Sequence, residues 1–181
     1  MLINAEESFL LVIDIQEKLL PTMHDPDQVV ANTSILLKAA ARLSVPVLVS
    51  EQYPKGLGAT VGEVSSLAPP GAVMDKGYCF SCLGDENLSK RCKELKRPQA
   101  VIAGIEAHVC VIQTGMDMLD GGFNVFVVAD ATGSRTRENH DAALRRLGGA
   151  GAEIATTEMV LFEWLKQAGS PEFKELVRLI K

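Results

Sequence analysis

Three side chains, Asp14, Lys76 and Cys110, each follow a short apolar run, and together they are the parts of an activated thiol. A cysteine that attacks a carbonyl needs a base to take its proton and a cation to hold the charge, and a carboxylate beside an ammonium supplies both. Cys110 lies in AVIAGIEAHVCVIQTGMDML, residues 100–119. The first half of this stretch is an apolar run ending in Gly104, short enough for a buried parallel strand. The second half places Val109, Ile112, Met116 and Leu119 at helical spacing. Cys110 is therefore expected where a strand turns into a helix, and unpaired N–H groups and the positive end of the helix dipole there favour a thiolate. The stretch taken alone is equally that of a small buried hydrophobe, as most free cysteines are.

The elements that must position these groups follow from the pattern around them. Ser8 to Ile13, SFLLVI, is a continuous apolar run that reads as the first central strand and ends in Asp14, with Gln16 two residues on. An aspartate there either faces the crevice where open α/β sheets place ligands or caps the following turn. Asp27 to Leu43 carries Val30, Ile35, Leu36, Ala39, Ala40 and Leu43 on one helical face, and Val45 to Val49 follows as a second strand. From Ser50 the chain loses both periods in EQYPKGLGATVGE, a loop in which Glu51, Gln52 and Tyr53 are either pocket wall or a solvated connection. Ala72 to Met74 reads as a third strand that puts Lys76 on the rim of Asp14. Phe80, in the GYCFSCL that follows, joins Gln16, Glu51 and Tyr53 as a candidate substrate contact.

Further along, Glu86 to Leu95 is a short polar helix, Gly121 and Gly122 stop the Cys110 helix, and Asn124 to Ala129 is a buried strand ending in Asp130. Arg137 to Leu147 is helical, Ala152 to Ala155 a last strand and Thr157 to Gln167 a helix. Ser170 and Pro171 are N-cap and first residue of a final helix through Ile180. The alternation predicts a three-layer α/β/α architecture with a central, mostly parallel sheet of five to six strands, in a single domain spanning residues 1–181.

Composition narrows the function. With a net charge of −5 and no block of like charges there is no electrostatic footprint for nucleic acid or acidic lipid. MLINAEESF does not read as a secretory signal and no apolar stretch reaches membrane-spanning length, so a cytoplasmic protein acting on a small molecule is expected, with all four cysteines reduced. Cys79 and Cys82 form a CxxC without a second closely spaced pair, and His24, His108 and His140 are scattered singly, so no metal site and no cofactor are expected. Mean hydropathy is positive at +0.14. With only 23% charged residues, that predicts more apolar surface than one core hides and hence a homo-oligomer, a dimer or tetramer.

The order VIDIQ (12–16), MDKGYCFS (74–81) and AGIEAHVCV (103–111) resembles the isochorismatase-like cysteine hydrolases, the superfamily of nicotinamidases and N-carbamoylsarcosine amidase. Within it, SEQYPKGLGATV and GIEAHVCV look closest to the isochorismatase domain-containing proteins. The resemblance runs from about Phe9 to the closing PEFKELVRLIK. It implies Asp14 as general base, Lys76 as stabilising cation and Cys110 as nucleophile, a non-proline cis peptide between Ile105 and Glu106, and an oxyanion hole made by the backbone N–H groups of Glu106 and Cys110. Nicotinamidases carry an Asp and two His as a zinc site after the second strand, whereas EQYPKGLG has no histidine, which points away from a catalytic metal and from nicotinamide. Isochorismatases themselves lack the cysteine, which points away from isochorismate. The function implied is hydrolysis of a small amide or related carbonyl compound through a thioester. The alternative is a non-hydrolytic protein that binds a ligand or senses oxidants through Cys110.

Overall fold

The computed structural model describes Met1 to Lys181. Six strands, β1 (Ser8–Ile13), β2 (Val47–Glu51), β3 (Val73–Asp75), β4 (Gln99–Ile105), β5 (Asn124–Gly133) and β6 (Glu153–Ala155), form one sheet in the order β3-β2-β1-β4-β5-β6. Every pairing is parallel. All six residues of β1 and all seven of β4 are buried, as expected of strands covered on both faces, which read as unbroken apolar runs rather than alternating ones.

Alternate residues of β1 feed the two layers. Leu10 and Val12 pack with Val29, Leu36, Val160, Trp164 and Leu176, which come from helices α1 (Pro26–Leu43), α7 (Thr157–Leu165) and α8 (Pro171–Leu176). Phe9, Leu11 and Ile13 pack with Leu88, Cys92, Met118 and Leu147 from α4 (Glu86–Glu94), α5 (Ile112–Asp120) and α6 (Arg137–Ala150). The expected three layers and parallel sheet are present, with six strands. Strand order reverses between β1 and β4, and the crevice outside the carboxyl ends of strands at such a switch point is where open α/β sheets bind ligands.

Four of the departures from the sequence pattern have a clear local reason. β2 starts at Val47 and runs on to Glu51, because Val45 follows the left-handed helix end at Ser44 while Ser50 and Glu51 pair with Met74 and Asp75. The stretch after it is not all loop, since it folds into two short helical turns, α2 (Pro54–Leu57) and α3 (Gly62–Ser65). Between β4 and α5, residues Ala107–Val111 form a π-helical turn rather than the first turn of an α-helix. β5 does not end at Asp130. It continues to Gly133 across a bulge, its register jumping from Ile102↔Val127 to Gly104↔Thr132, and the Asp130 carboxylate accepts hydrogen bonds from the backbone N–H and hydroxyl of Thr157 at 2.7 and 2.9 Å.

Gly104 is where β1 and β4 approach most closely. Its φ is +117°, and a Cβ there would sit 2.1 Å from the carbonyl oxygen of Ile13, so the carboxyl ends of the two central strands meet only because this residue has no side chain. Positive-φ strain costs about 1–3 kcal/mol at a residue with a Cβ, and overpacking costs a similar amount. Gly104→Ala should therefore lower stability by about 4 kcal/mol and the melting temperature by about 10 °C, with a melt within 2 °C of wild type counting against this account.

Candidate active site

Asp14 is the first residue beyond β1 and has a left-handed backbone, φ 51°, its N–H bonded to the carbonyl of Ser50 at 3.1 Å. One carboxylate oxygen, Oδ1, accepts from the Ser50 hydroxyl at 2.7 Å. The other, Oδ2, is ion-paired with the Lys76 ammonium at 2.9 Å and has no further hydrogen-bond partner. Lys76 follows β3, its N–H bonded to the carbonyl of Glu51 at 2.9 Å, and its side chain is fully buried. Two of its ammonium protons go to the carbonyls of Cys79 and Phe80 at 2.8 and 2.6 Å.

Cys110 sits in the π-helical turn with 3% of its surface exposed and donates its thiol proton to Gln52 Oε1 at 3.4 Å. The carbonyl of Glu106 receives the N–H groups of both Val109 and Val111, at 3.0 and 3.2 Å, which brackets Cys110. The Ile105–Glu106 peptide is cis, and the Glu106 N–H makes no backbone hydrogen bond.

Burial raises the pKa of Asp14, and Lys76 and Ser50 only partly offset it, leaving a carboxylate more basic than an exposed one. Burial alone would lower Lys76, but the charge and hydrogen bond of Asp14 lead the opposing effects, the net shift is upward, and the ammonium stays protonated. Burial, and then the negative charge of Asp14, push the Cys110 thiol up to about 12. This corrects the expectation drawn from a helix start: desolvation and a neighbouring carboxylate outweigh the dipole, and the resting sulfur is a thiol. The resulting set is a protonated thiol, a carboxylate of raised basicity and a fixed ammonium, which can move one proton off sulfur without importing charge.

The remaining sequence candidates divide. Gln16 is buried and its amide is spent on the loop after β2, donating to the carbonyls of Gln52 and Gly58 and accepting from the N–H of Gln52 at 3.0, 2.7 and 2.8 Å. Glu51 accepts from the N–H and hydroxyl of Thr60. Both hold the loop, leaving Tyr53 and Phe80 as exposed side chains of the rim. The Tyr53 ring occupies the space over Gly56, where a Cβ would be 2.1 Å from the ring, and packs on Tyr78 with centroids 4.9 Å apart. Two partners were not signalled by spacing. Ser50 is hidden as the polar end of an apolar run. Arg135 clamps the Glu106 carboxylate at 2.8 and 2.9 Å, a contact made through the β5 bulge, which no local pattern encodes. A separate cavity of about 410 Å³ opens beside β5, lined in part by His24, Thr132, Ser134, Arg137 and His140. Cys82 of the CxxC is buried in the core beside α4, and no three His, Cys, Asp or Glu side chains are grouped to hold a metal ion.

Residues 8–159 match the isochorismatase domain. The chain belongs to the isochorismatase family. Isochorismatase domain-containing protein 2 of Danio rerio is 39% identical over 179 residues, covering 98% of this chain and 89% of the relative. The MAR1 ribonuclease of Caenorhabditis elegans superimposes with a TM-score of 0.93 at 35% identity, over 99% of this chain and 92% of that one. YcaC of Pseudomonas aeruginosa, solved with hexane-2,5-diol and covalent acrylamide, gives 0.93 at 26% identity, over 98% and 91%. The fold and domain of this isochorismatase-family chain are those of the family's hydrolases, and none of its helices is long and apolar enough to cross a membrane.

A thiol at about 12 is ionised to only about one part in 10⁵ at pH 7. Residue-resolved iodoacetamide labelling should therefore find half-buried Cys79 modified before Cys110 at pH 7, with the Cys110 rate still climbing beyond pH 10. A plateau at pH 7–8 would mean a thiolate already formed in the resting protein.

Proposed function

We propose that this chain is a hydrolase of small amides or related carbonyl compounds, acting through a thioester on Cys110 with Asp14 as base and Lys76 as stabilising cation. The observation that carries this is the buried Asp14–Lys76 ion pair set against a buried thiol. Burying two charges costs several kcal/mol, and a well-packed apolar pair of the same volume is often as stable, so a chemical role accounts for the pair better than a structural one. The P. aeruginosa relative, with its covalent acrylamide, lends support, because acrylamide is an electrophile that bonds to nucleophiles.

In this reading Asp14 Oδ2 takes the thiol proton as sulfur attacks the carbonyl carbon, so the thiolate exists only as the bond forms. Negative charge moves from the carboxylate to the substrate oxygen, where the N–H groups of Glu106 and Cys110 receive it; such donors are worth about 2.7–4 kcal/mol each in other enzymes. Collapse breaks the C–N bond, and Asp14 returns the proton to the leaving amine. A water then gives a proton to Asp14 as its oxygen attacks the thioester, the C–S bond breaks, and Asp14 returns that proton to the sulfur. Lys76 keeps the carboxylate oriented throughout and ionised between proton transfers. Tyr53 and Phe80 face the acyl group, and no metal is needed for any step. A peroxide-sensing thiol requires a lowered pKa, which the surroundings of Cys110 oppose.

The same reading takes residues 1–181 as one domain working in the cytoplasm, where a catalytic thiol stays reduced. It also has copies of the chain associating. Ile154, Met159 and Phe162 stay exposed along β6 and α7, near the equally exposed Met1 and Leu2. Light scattering at tens of micromolar should give a mass of at least twice 19.5 kDa, and a monomer mass unchanged by concentration would end that part of the proposal.

Against a panel of small amides, intact mass should show an acyl adduct on the wild type that Cys110→Ala lacks while melting normally. Asp14→Asn should lose about 10²- to 10⁴-fold in turnover. Full turnover by Cys110→Ala would overturn the thioester route.

A further inference from the structure

Resting on that reading of Cys110, we infer that Arg135 is a positioning residue for acyl transfer: through its two-pronged grip on the Glu106 side chain it aims the Glu106 N–H at the developing oxyanion. Glu106 carries three separate duties. Its N–H makes no backbone hydrogen bond, its carbonyl holds Val109 and Val111 on either side of Cys110, and its buried carboxylate is bonded through both oxygens to Arg135. The planar guanidinium fork fixes a carboxylate in distance and rotation, which a single point charge does not. His108 Nε2 lies farther off, at 3.9 Å from the same carboxylate, and its Nδ1 pairs with Ser134 at 3.0 Å.

Arg135 reaches this place because of the β5 bulge. In the register set by Ile102↔Val127, Ile105 would face Asp130; the extra residues bring Gly133 opposite Ile105 instead, and Arg135 follows two residues later. Bulges are over-represented beside active sites because they re-aim side chains. Arg135 is 61% exposed while the Glu106 side chain is 6% exposed, so the pair also keeps a buried carboxylate from standing alone, and a readout other than stability is needed to separate positioning from pairing.

The test compares two reactions of the same sulfur. Acylation by p-nitrophenyl acetate forms an S–C bond through an oxyanion, breaks the ester C–O bond and expels p-nitrophenolate, with the thiol proton going to Asp14. Alkylation by iodoacetamide displaces iodide from a saturated carbon and forms no oxyanion. With the Cys110→Ala blank subtracted, Arg135→Ala should slow the p-nitrophenolate burst at least tenfold, while alkylation of Cys110, read by residue-resolved mass spectrometry at pH 9, stays within twofold. Arg135→Lys should fall between the two. If the alanine variant does not fold, Arg135→Ala paired with Glu106→Gln removes the unpaired buried charge and should show the same split. An unchanged burst, or equal losses in both reactions, would overturn the role of Arg135. A wild-type burst no larger than the blank would instead refute the hydrolase reading, and the inference with it.

Discussion

Most of the site depends on keeping one carboxylate and one ammonium together out of water. Asp14 and Lys76 are both fully buried, and a pair in that state holds only when nearly every remaining proton and lone pair is met. Ser50 meets one side of the carboxylate, and the carbonyls of Cys79 and Phe80 meet the ammonium, so strand β2 and the segment after β3 are tied to the residue just beyond β1. Asp14 Oδ2 has the Lys76 ammonium as its partner, and in the proposed reaction it is the atom that takes the proton from Cys110. The sheet has a requirement of its own beside the pair: at Gly104 a Cβ would sit 2.1 Å from the Ile13 carbonyl oxygen, so that position of β4 must lack a side chain.

The layers, and the placing of Asp14, Lys76 and Cys110 at the ends of strands, were legible in the sequence because each rests on a local pattern. SFLLVI can be little else than a doubly covered strand, and its end at Asp14 is fixed by the loss of apolar character. The β5 boundary was not legible in the same way. Asp130 looked like a stop because charged residues are expected at strand ends, but it lies within the strand and stabilises the start of α7 by accepting from Thr157. Gln16 and Glu51 looked like pocket residues because of where they fall in the chain. The Gln16 amide is taken up by backbone and one Glu51 oxygen by Thr60, something set by the path of a loop that has no period to read.

The state of the thiol illustrates how competing effects are ranked by burial. A helix start lowers a cysteine's pKa when solvent and backbone N–H groups share the charge. Cys110 has neither open solvent nor a regular first turn, and it faces a carboxylate, so the desolvation cost prevails. Side-chain type and position were sufficient to nominate the residue, but its protonation depends on contacts with Asp14, which is 96 residues away in the chain.

The mouth of the site has a property that follows from how it is bound together. The loop after β2 is bonded to Gln16, Tyr53 donates its N–H to Gly77, and Lys76 holds the backbone of residues 79 and 80. Lengthening or shortening any one of these loops would pull on the charged pair, so loop length is not a free variable for this scaffold. Tyr53, Tyr78 and Phe80 project from the same braced backbone and are exposed, carrying none of those bonds in their rings. An engineer redirecting this protein toward new compounds therefore has wide latitude in three ring positions and almost none in the chain path that carries them.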